Sequence, residues 1–325
     1  MTALRYGPRA AIVAIALFLA TAASAPAFAD ATLTVGKASA TSDALIPVNV
    51  GDELGIFRKH GLDLKITDFG GGGKMAQAMA AGAIDIGDGA GTEMAFVAKG
   101  APMIAVCESA APAPFLGVGV PWDSPIRSLA DLKGKIIGVS SAGSFSDWSG
   151  HELARKEGWG ENGVTTVAIG GGTAPALAAL RTHLVDAVIG NTAQFLAFEE
   201  TRYGRLLAPV SSYEGNVASG AIFASNQLIA KDSNPIRAFV AAWIETIDYM
   251  RAHKAETVKI ESAINHFNEN VMSREYDLTI GMFTKDCRFD AESLATLKRS
   301  FADLKLLDTA PDMQKLYTEE FLPKQ

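Results

Sequence analysis

The run GGGGKMAQAMAAGAIDIGDG (70–89) returns 101 residues further on as GGTAPALAALRTHLVDAVIG (171–190). Each copy opens on glycines, crosses an alanine-rich stretch with apolar residues at helical spacing, and closes on an apolar–Asp–apolar strand start. Ile84-Asp85-Ile86 falls on Val185-Asp186-Ala187, and Ala78-Met79 falls on Ala179-Leu180. Almost nothing in either copy can do chemistry. Asp85 and Asp186, inside the repeated strands, read as structural residues bonding local backbone.

Outward from these units, short apolar strands alternate with helical pieces. Strand candidates are TLTVGK (32–37), LDLKIT (62–67), AIDIG (83–87), MIAVC (103–107), FLGVGV (115–120), KIIGVS (135–140), VTTVAI (164–169), VDAVI (185–189) and RLLAPV (205–210). Such alternation argues for an α/β fold with parallel sheets covered on their faces. KIIGV and VDAVI, apolar without alternation, fit burial on both sides. After residue 220 comes one more strand, AIFASNQLIA (221–230), and then Asn234-Pro235 opens a long helix. The rest is helical, as in LATLKRSFADLKLL (294–307). FLGVGVPWDSP (115–125) and YEGNVASG (213–220), rich in Gly or Pro, read as crossings between two lobes. The expected division is lobe one at 30–118 plus 220–325 and lobe two at 119–219, with bending near 120 and 217.

Arg5 and Arg9, the uncharged core AAIVAIALFLATAA (10–23) and Ala27-Phe28-Ala29 have the order of a cleaved export signal, 1–29. The mature chain is expected to begin at Asp30 and to reside in the periplasm. Losing those two arginines takes the formal charge from −7 to −9. An acidic chain without basic runs excludes nucleic-acid binding, which rests on phosphate neutralisation. Cys107 and Cys287 leave two readings open, a bridge in an oxidising compartment or separate buried thiols, the commoner outcome.

Four segments in order resemble the periplasmic substrate-binding proteins of the nitrate/sulfonate/taurine ABC-transporter family. They are VGKASATSDALIPVNVGDELGIFRKHGLDLKIT (35–67), AMAAGAIDIG (78–87), SLADLKGKIIGVSSAGS (128–144) and ALAALRTHLVDAVI (176–189). GIFRKHGLDL (55–64) is the most specific part, while THL (182–184) departs from the family's small-Gly-polar triplet. The resemblance implies a two-lobed clamshell of the type II periplasmic-binding fold, with one copy of the repeated unit in each lobe. It also implies a monomeric receptor that captures a small polar or anionic solute for an ABC permease at the inner membrane. The solute classes are sulfonate, nitrate, taurine, aromatic carboxylate and pyrimidine. The alternative is an enzyme on the same fold, similar to the thiamine pyrimidine-precursor synthases, which act inside cells and carry a cysteine-rich motif.

Enzyme and metal motifs are missing. GGGGKM (70–75) fails the phosphate-loop pattern twice, with Asp68 where a Gly belongs and Met75 where Ser or Thr belongs. The five histidines are scattered, and His151-Glu152 has no second His at helical spacing, so no metal site or cofactor is expected. What remains are small polar residues at the carboxyl ends of strands, where ligands bind in open α/β sheets. The candidates are Ser39, Thr41, Gly72, Asp88 and Gly89 from one lobe, with Ser141, Ser144, Phe145, Asn191 and Thr192 from the other. Glu214 joins them at the return crossing. Gly72 opens a helix whose free N–H groups suit an oxyanion. Ser144 is the leading candidate, with a hydroxyl and an N–H that can both donate. Each has a plainer role available, since glycine runs are commonly turns and Ser before a helix is commonly a cap.

Overall fold

The computed structural model describes Thr2 and residues 31–39, 42–142, 144–160 and 162–324. The export segment, apart from Thr2, and Thr41 lie outside these residues. The strands are β1 (Ala31–Lys37), β2 (Leu62–Asp68), β3 (Ile86–Gly89), β4 (Met103–Ala110), β5 (Leu116–Pro121), β6 (Ile136–Val139), β7 (Thr165–Ala168), β8 (Ala187–Asn191), β9 (Gly204–Pro209) and β10 (Gly220–Ser225). They form two five-stranded sheets, ordered β2-β1-β3-β10-β4 and β7-β6-β8-β5-β9. β1 pairs in parallel with β2 and β3, and β6 does so with β7 and β8. In each sheet the strand that follows a crossing, β10 or β5, runs antiparallel to its neighbours. The result is a two-lobed α/β clamshell.

The repeated unit builds the same corner in each sheet. Its helix, Gly72–Ala80 or Thr173–Arg181, buries Met75, Ala76 and Met79 in one copy and Ala176, Ala179 and Leu180 in the other. Its strand starts at Ile86 rather than Ala83, because Asp85 is used as a clamp. Asp85 Oδ2 accepts from Thr34 N (2.9 Å) and Thr34 Oγ1 (2.7 Å) on β1, and Asp186 Oδ2 accepts from Ile136 N (2.8 Å) on β6. Both aspartates were expected to bond local backbone. They instead bond the neighbouring strand, at Thr34 within β1 and at Ile136, the first residue of β6, 50 or more positions away. Each residue stands just ahead of a short ladder, that of β1 with β3 or of β6 with β8, and the carboxylate gives its N–H an acceptor that the ladder does not supply.

β5 begins at Leu116, which pairs with Asn191. The first crossing therefore lies ahead of Leu116, over 111–115, whereas the stretch 115–125 expected to cross holds β5, whose Gly117 and Val118 pair with β8 and β9. The second runs through 215–219 beside it, where Ser219 donates from its backbone to Ala110 O (2.9 Å) and from its hydroxyl to Pro112 O (2.7 Å).

The helix Asn234–Ala252, with Pro235 in its first turn, buries Ile236, Phe239, Val240, Trp243, Ile247 and Met250 at helical spacing. Of the next two helices, Lys254–Asn265 stays packed on the first lobe, whereas Glu269–Thr279 reaches across to the second. Val258, Val271, Met272 and Tyr276 share a buried cluster with Ala193 and Leu196 of the second-lobe helix Thr192–Thr201. Arg274 pairs with Glu199 (2.6 Å) across the same contact. Cys107 and Cys287 are bonded, not separate. The cause is a return of the chain along β4, where Glu108 N donates to Cys287 O (3.1 Å) and Thr284 N to Ser109 O (3.1 Å).

Candidate functional site

The carboxyl ends of the parallel strands in both sheets open onto one cleft of about 880 Å³. Ala38 and Ser39 follow β1, Ser140 and Ser141 follow β6, and Gly190 and Asn191 end β8. The glycine runs 70–73 and 170–172, one from each copy of the repeat, face in from opposite lobes. Phe115 and Leu116 lie where the first crossing enters the second sheet. Thus Ser39, Gly72, Ser141, Ser144, Phe145 and Asn191, all expected at the site, line the cleft.

On the second lobe, serines dominate. Ser144 is the N-cap of the helix Phe145–Lys156, and its Oγ accepts from Asp147 N (3.3 Å). The same hydroxyl donates to Ser141 O (2.7 Å), and Ser140 Oγ donates to Ser144 Oγ (3.1 Å). Ser146 Oγ accepts from Ser140 N (3.0 Å) and lies 3.0 Å from both other hydroxyls. Ser144 was expected to offer a free hydroxyl donor. Its proton is committed to the loop through Ser141 O. Phe145 lines the cleft and tilts on Trp148, with centroids 5.4 Å apart. Trp148 itself is buried, and its Nε1 donates to Asp303 Oδ2 (3.1 Å) on the helix Ala291–Asp303 of the other lobe.

The first-lobe wall holds a residue that the sequence reading missed. Glu93 follows β3 in the turn Gly91–Glu93 and is 6% exposed, yet it lines the cleft. Its Oε2 accepts from Thr92 Oγ1 (3.1 Å). A Cβ on Gly72 would stand 1.6 Å from Glu93 Oε1, so the carboxyl occupies the space over the first residue of the helix Gly72–Ala80. The oxyanion expected at Gly72 therefore meets a resident acid. Burial pushes the Glu93 carboxyl up to about 7. Its only advance signal was a lone acid among small residues just past a strand end, in GAGTEM (89–94). Phe96, Lys99, Gln194 and Leu306 also line the cleft and were missed, because each sits inside a helix or beyond the strand ends.

Four expected site residues lie elsewhere. Asp88 is fully buried in β3 beside Lys37, its register partner on β1, and neither carboxyl oxygen has a hydrogen-bond partner among the described residues. Burial holds Asp88 well above the usual carboxylate range, against the opposing pull of Lys37. Gly89 is buried behind Glu93, where a Cβ would come within 3.4 Å of that carboxyl carbon. Thr192 ties the crossing to its helix, donating from Oγ1 to Pro114 O (2.9 Å) and from N to Phe115 O (2.9 Å). Glu214 ends the short helix Ser211–Glu214 against the second crossing, 2% exposed. Neither of its carboxyl oxygens has a partner among the described residues, since the nearby Ser149 hydroxyl donates to Phe145 O (2.8 Å). Burial pushes Glu214 up to about 8, and the neighbouring Glu152 adds to the rise.

A family model described as NMT1/THI5 like matches residues 43–257. No curated protein matches the chain significantly. Among solved structures, the periplasmic aliphatic sulphonate binding protein SsuA from Escherichia coli superposes with a TM-score of 0.72 at 20% identity, over 88% of this chain and 92% of that one. The periplasmic nitrate-binding protein NrtA from Synechocystis PCC 6803 gives 0.67 at 14% identity, over 89% and 86%. A mutant of DszB in complex with biphenyl-2-sulfinic acid gives 0.64 at 17% identity, over 89% and 97%. The fold is that of the periplasmic binding proteins.

Proposed function

The chain belongs to the NMT1/THI5-like family, and we propose that it is an extracytoplasmic receptor that captures a small polar solute for an ABC importer. The observation that carries this reading is the cleft of about 880 Å³, lined by polar groups of both lobes. A solute touching both walls makes more contacts when the lobes approach, and only such differential contact shifts the molecule toward a closed state. Rotation would be absorbed at the adjacent crossings, 111–115 and 215–219. The sulphonate- and nitrate-binding neighbours support this reading.

An enzyme on the same fold is the second reading, and the DszB neighbour favours it. Among the described lining residues there is neither Cys nor His, the usual members of a nucleophile–base pair. That lining favours capture over turnover. On this reading the receptor works outside the inner membrane as a monomer that docks on a permease. No helix among the described residues is long and apolar enough to cross a membrane. Amino-terminal sequencing of the exported protein should begin at Asp30, and light scattering should give the monomer mass.

A thermal-shift panel of anions, amines and heterocycles tests the reading. A bound solute at about 100 times its Kd adds ~2.7 kcal/mol to the stability of the folded chain. Stabilisation by no class, or conversion of the bound compound into a product seen by mass spectrometry, would overturn it.

A further inference from the structure

The receptor reading leaves the solute's chemistry open, and the inference drawn here rests on that reading. Among the described lining residues, Glu93 and Lys99 alone carry a formal charge, and no arginine is present. Glu93 stands over the start of the helix Gly72–Ala80, where the absence of a Cβ on Gly72 makes the room its carboxyl fills. Gly89 and Met75 back it: a Cβ on Gly89 would meet Met75 Cε at 2.9 Å and Glu93 Cδ at 3.4 Å. A resident carboxyl on the first-lobe wall disfavours a second anionic group at that spot and favours a donor. Across the cleft, the Ser140 and Ser144 hydroxyl protons are already given to Ser144 Oγ and Ser141 O. The first-lobe wall therefore presents a carboxyl acceptor toward the solute, while Asn191 and Gln194 of the second lobe bring amide donors.

We propose that Glu93 is the specificity residue of the cleft and selects a solute carrying an amine or other N–H nitrogen, which donates to its carboxyl. Any electronegative end of such a solute would lie toward the second lobe, where the helix Phe145–Lys156 begins. Charge assistance strengthens such a contact when the nitrogen is cationic. A cationic nitrogen favours the ionised carboxyl, so affinity should rise with pH through about 7 and then level off. The other charged groups near Glu93 are Asp88 on β3 and Lys99 at the cleft. The helix Ala291–Asp303 puts Leu297 against Gly91, and the helix Gly72–Ala80 supplies Gly72 and Met75, all uncharged.

The test is calorimetry on the purified mature chain with matched pairs of probes: 2-aminoethanesulfonate against ethanesulfonate, 4-aminobutyrate against butyrate, and 4-aminopyrimidine against pyrimidine. In at least one pair the amino member should bind roughly ten- to a hundredfold more tightly. Glu93→Gln should erase that preference and flatten its pH dependence. Gly72→Ala, which displaces the carboxyl without changing the charge of the cleft, should weaken the same member. Tighter binding of the amino-free members, or an amino preference that survives Glu93→Gln in a folded protein, overturns this proposal and leaves the receptor reading standing. Binding of no member of any pair overturns the proposal. If the broader panel also stabilises nothing, the receptor reading falls with it.

Discussion

Replacing Ser144 with alanine separates a helix cap from a ligand contact. The structure gives its hydroxyl four partners: it accepts from Asp147 N at 3.3 Å, donates to Ser141 O at 2.7 Å, accepts from Ser140 Oγ at 3.1 Å and lies 3.0 Å from Ser146 Oγ. Losing an N-cap serine costs about 1 kcal/mol, within a range of about 0.5–2. Ser141 is exposed, so water replaces the donor to its carbonyl at little further cost. The expected total is about 1–2 kcal/mol, a fall in Tm of about 2–4 °C per kcal/mol for a unit of 150–250 residues. Scanning calorimetry of the wild type and Ser144→Ala measures it directly. Ser144→Asp sharpens the test, because aspartate caps as well as serine while adding a negative charge at the cleft. Its melting temperature should stay near that of the wild type, whereas a solute presenting an electronegative end to this lobe should bind it more weakly. A Ser144→Ala protein that melts with the wild type would show that the hydroxyl does not hold the helix start, and the capping argument would be wrong.

Three further outcomes follow from side chains away from the cleft. Asp85→Ala removes an acceptor from two donors of Thr34, and should cost about 2–3 kcal/mol in chemical denaturation, more than Asp186→Ala, which loses a single bond to Ile136. Glu214 is held protonated in the folded chain, so its contribution to stability is fully present below its unfolded value near 4.5 and is lost as pH rises through about 8. Glu214→Gln should therefore flatten the fall in denaturation midpoint between about pH 4.5 and 8, and an unchanged slope would refute the assignment. Cys107→Ser opens a closed loop of 180 residues, and should lower stability by about 2–5 kcal/mol, an effect that reducing agent reproduces in the wild type.

The parts of this molecule that were legible in the sequence are those governed by periodicity. The spacing of Met75, Ala76 and Met79, repeated at Ala176, Ala179 and Leu180, gives two equivalent helices, and KIIGV and VDAVI give adjacent buried strands. Strand ends and their serines follow from the same pattern, which is why Ser39, Ser141 and Ser144 fall on the cleft. Side-chain direction was not legible. Alternation along β3 decides that Asp88 points into the first lobe while Glu93, one turn later, reaches the cleft. Long-range use of a residue was equally hidden. Asp85 serves β1, Thr192 serves the first crossing, and the two cysteines meet only because the chain doubles back along β4. Nor does helical spacing say which lobe a helix will cover, which is how Glu269–Thr279 came to pack on the helix Thr192–Thr201.

The position of β10 has a consequence for how the chain is made. It lies between β3 and β4, with Ile222 in register with Asp88 on one side and Cys107 on the other. Until residue 220 has emerged, the first sheet has a vacant slot between β3 and β4, whose facing edges wait through 131 (220 − 89) and 110 (220 − 110) residues of further synthesis. The second sheet, drawn wholly from the stretch 116–209, has no such delay. The first domain begun is thus the last completed, and its exposed ladder invites pairing with other nascent chains. β3 is built to survive the interval: four residues long, Ile-Gly-Asp-Gly, with two glycines and an acid, it is a poor template for a stranger's strand.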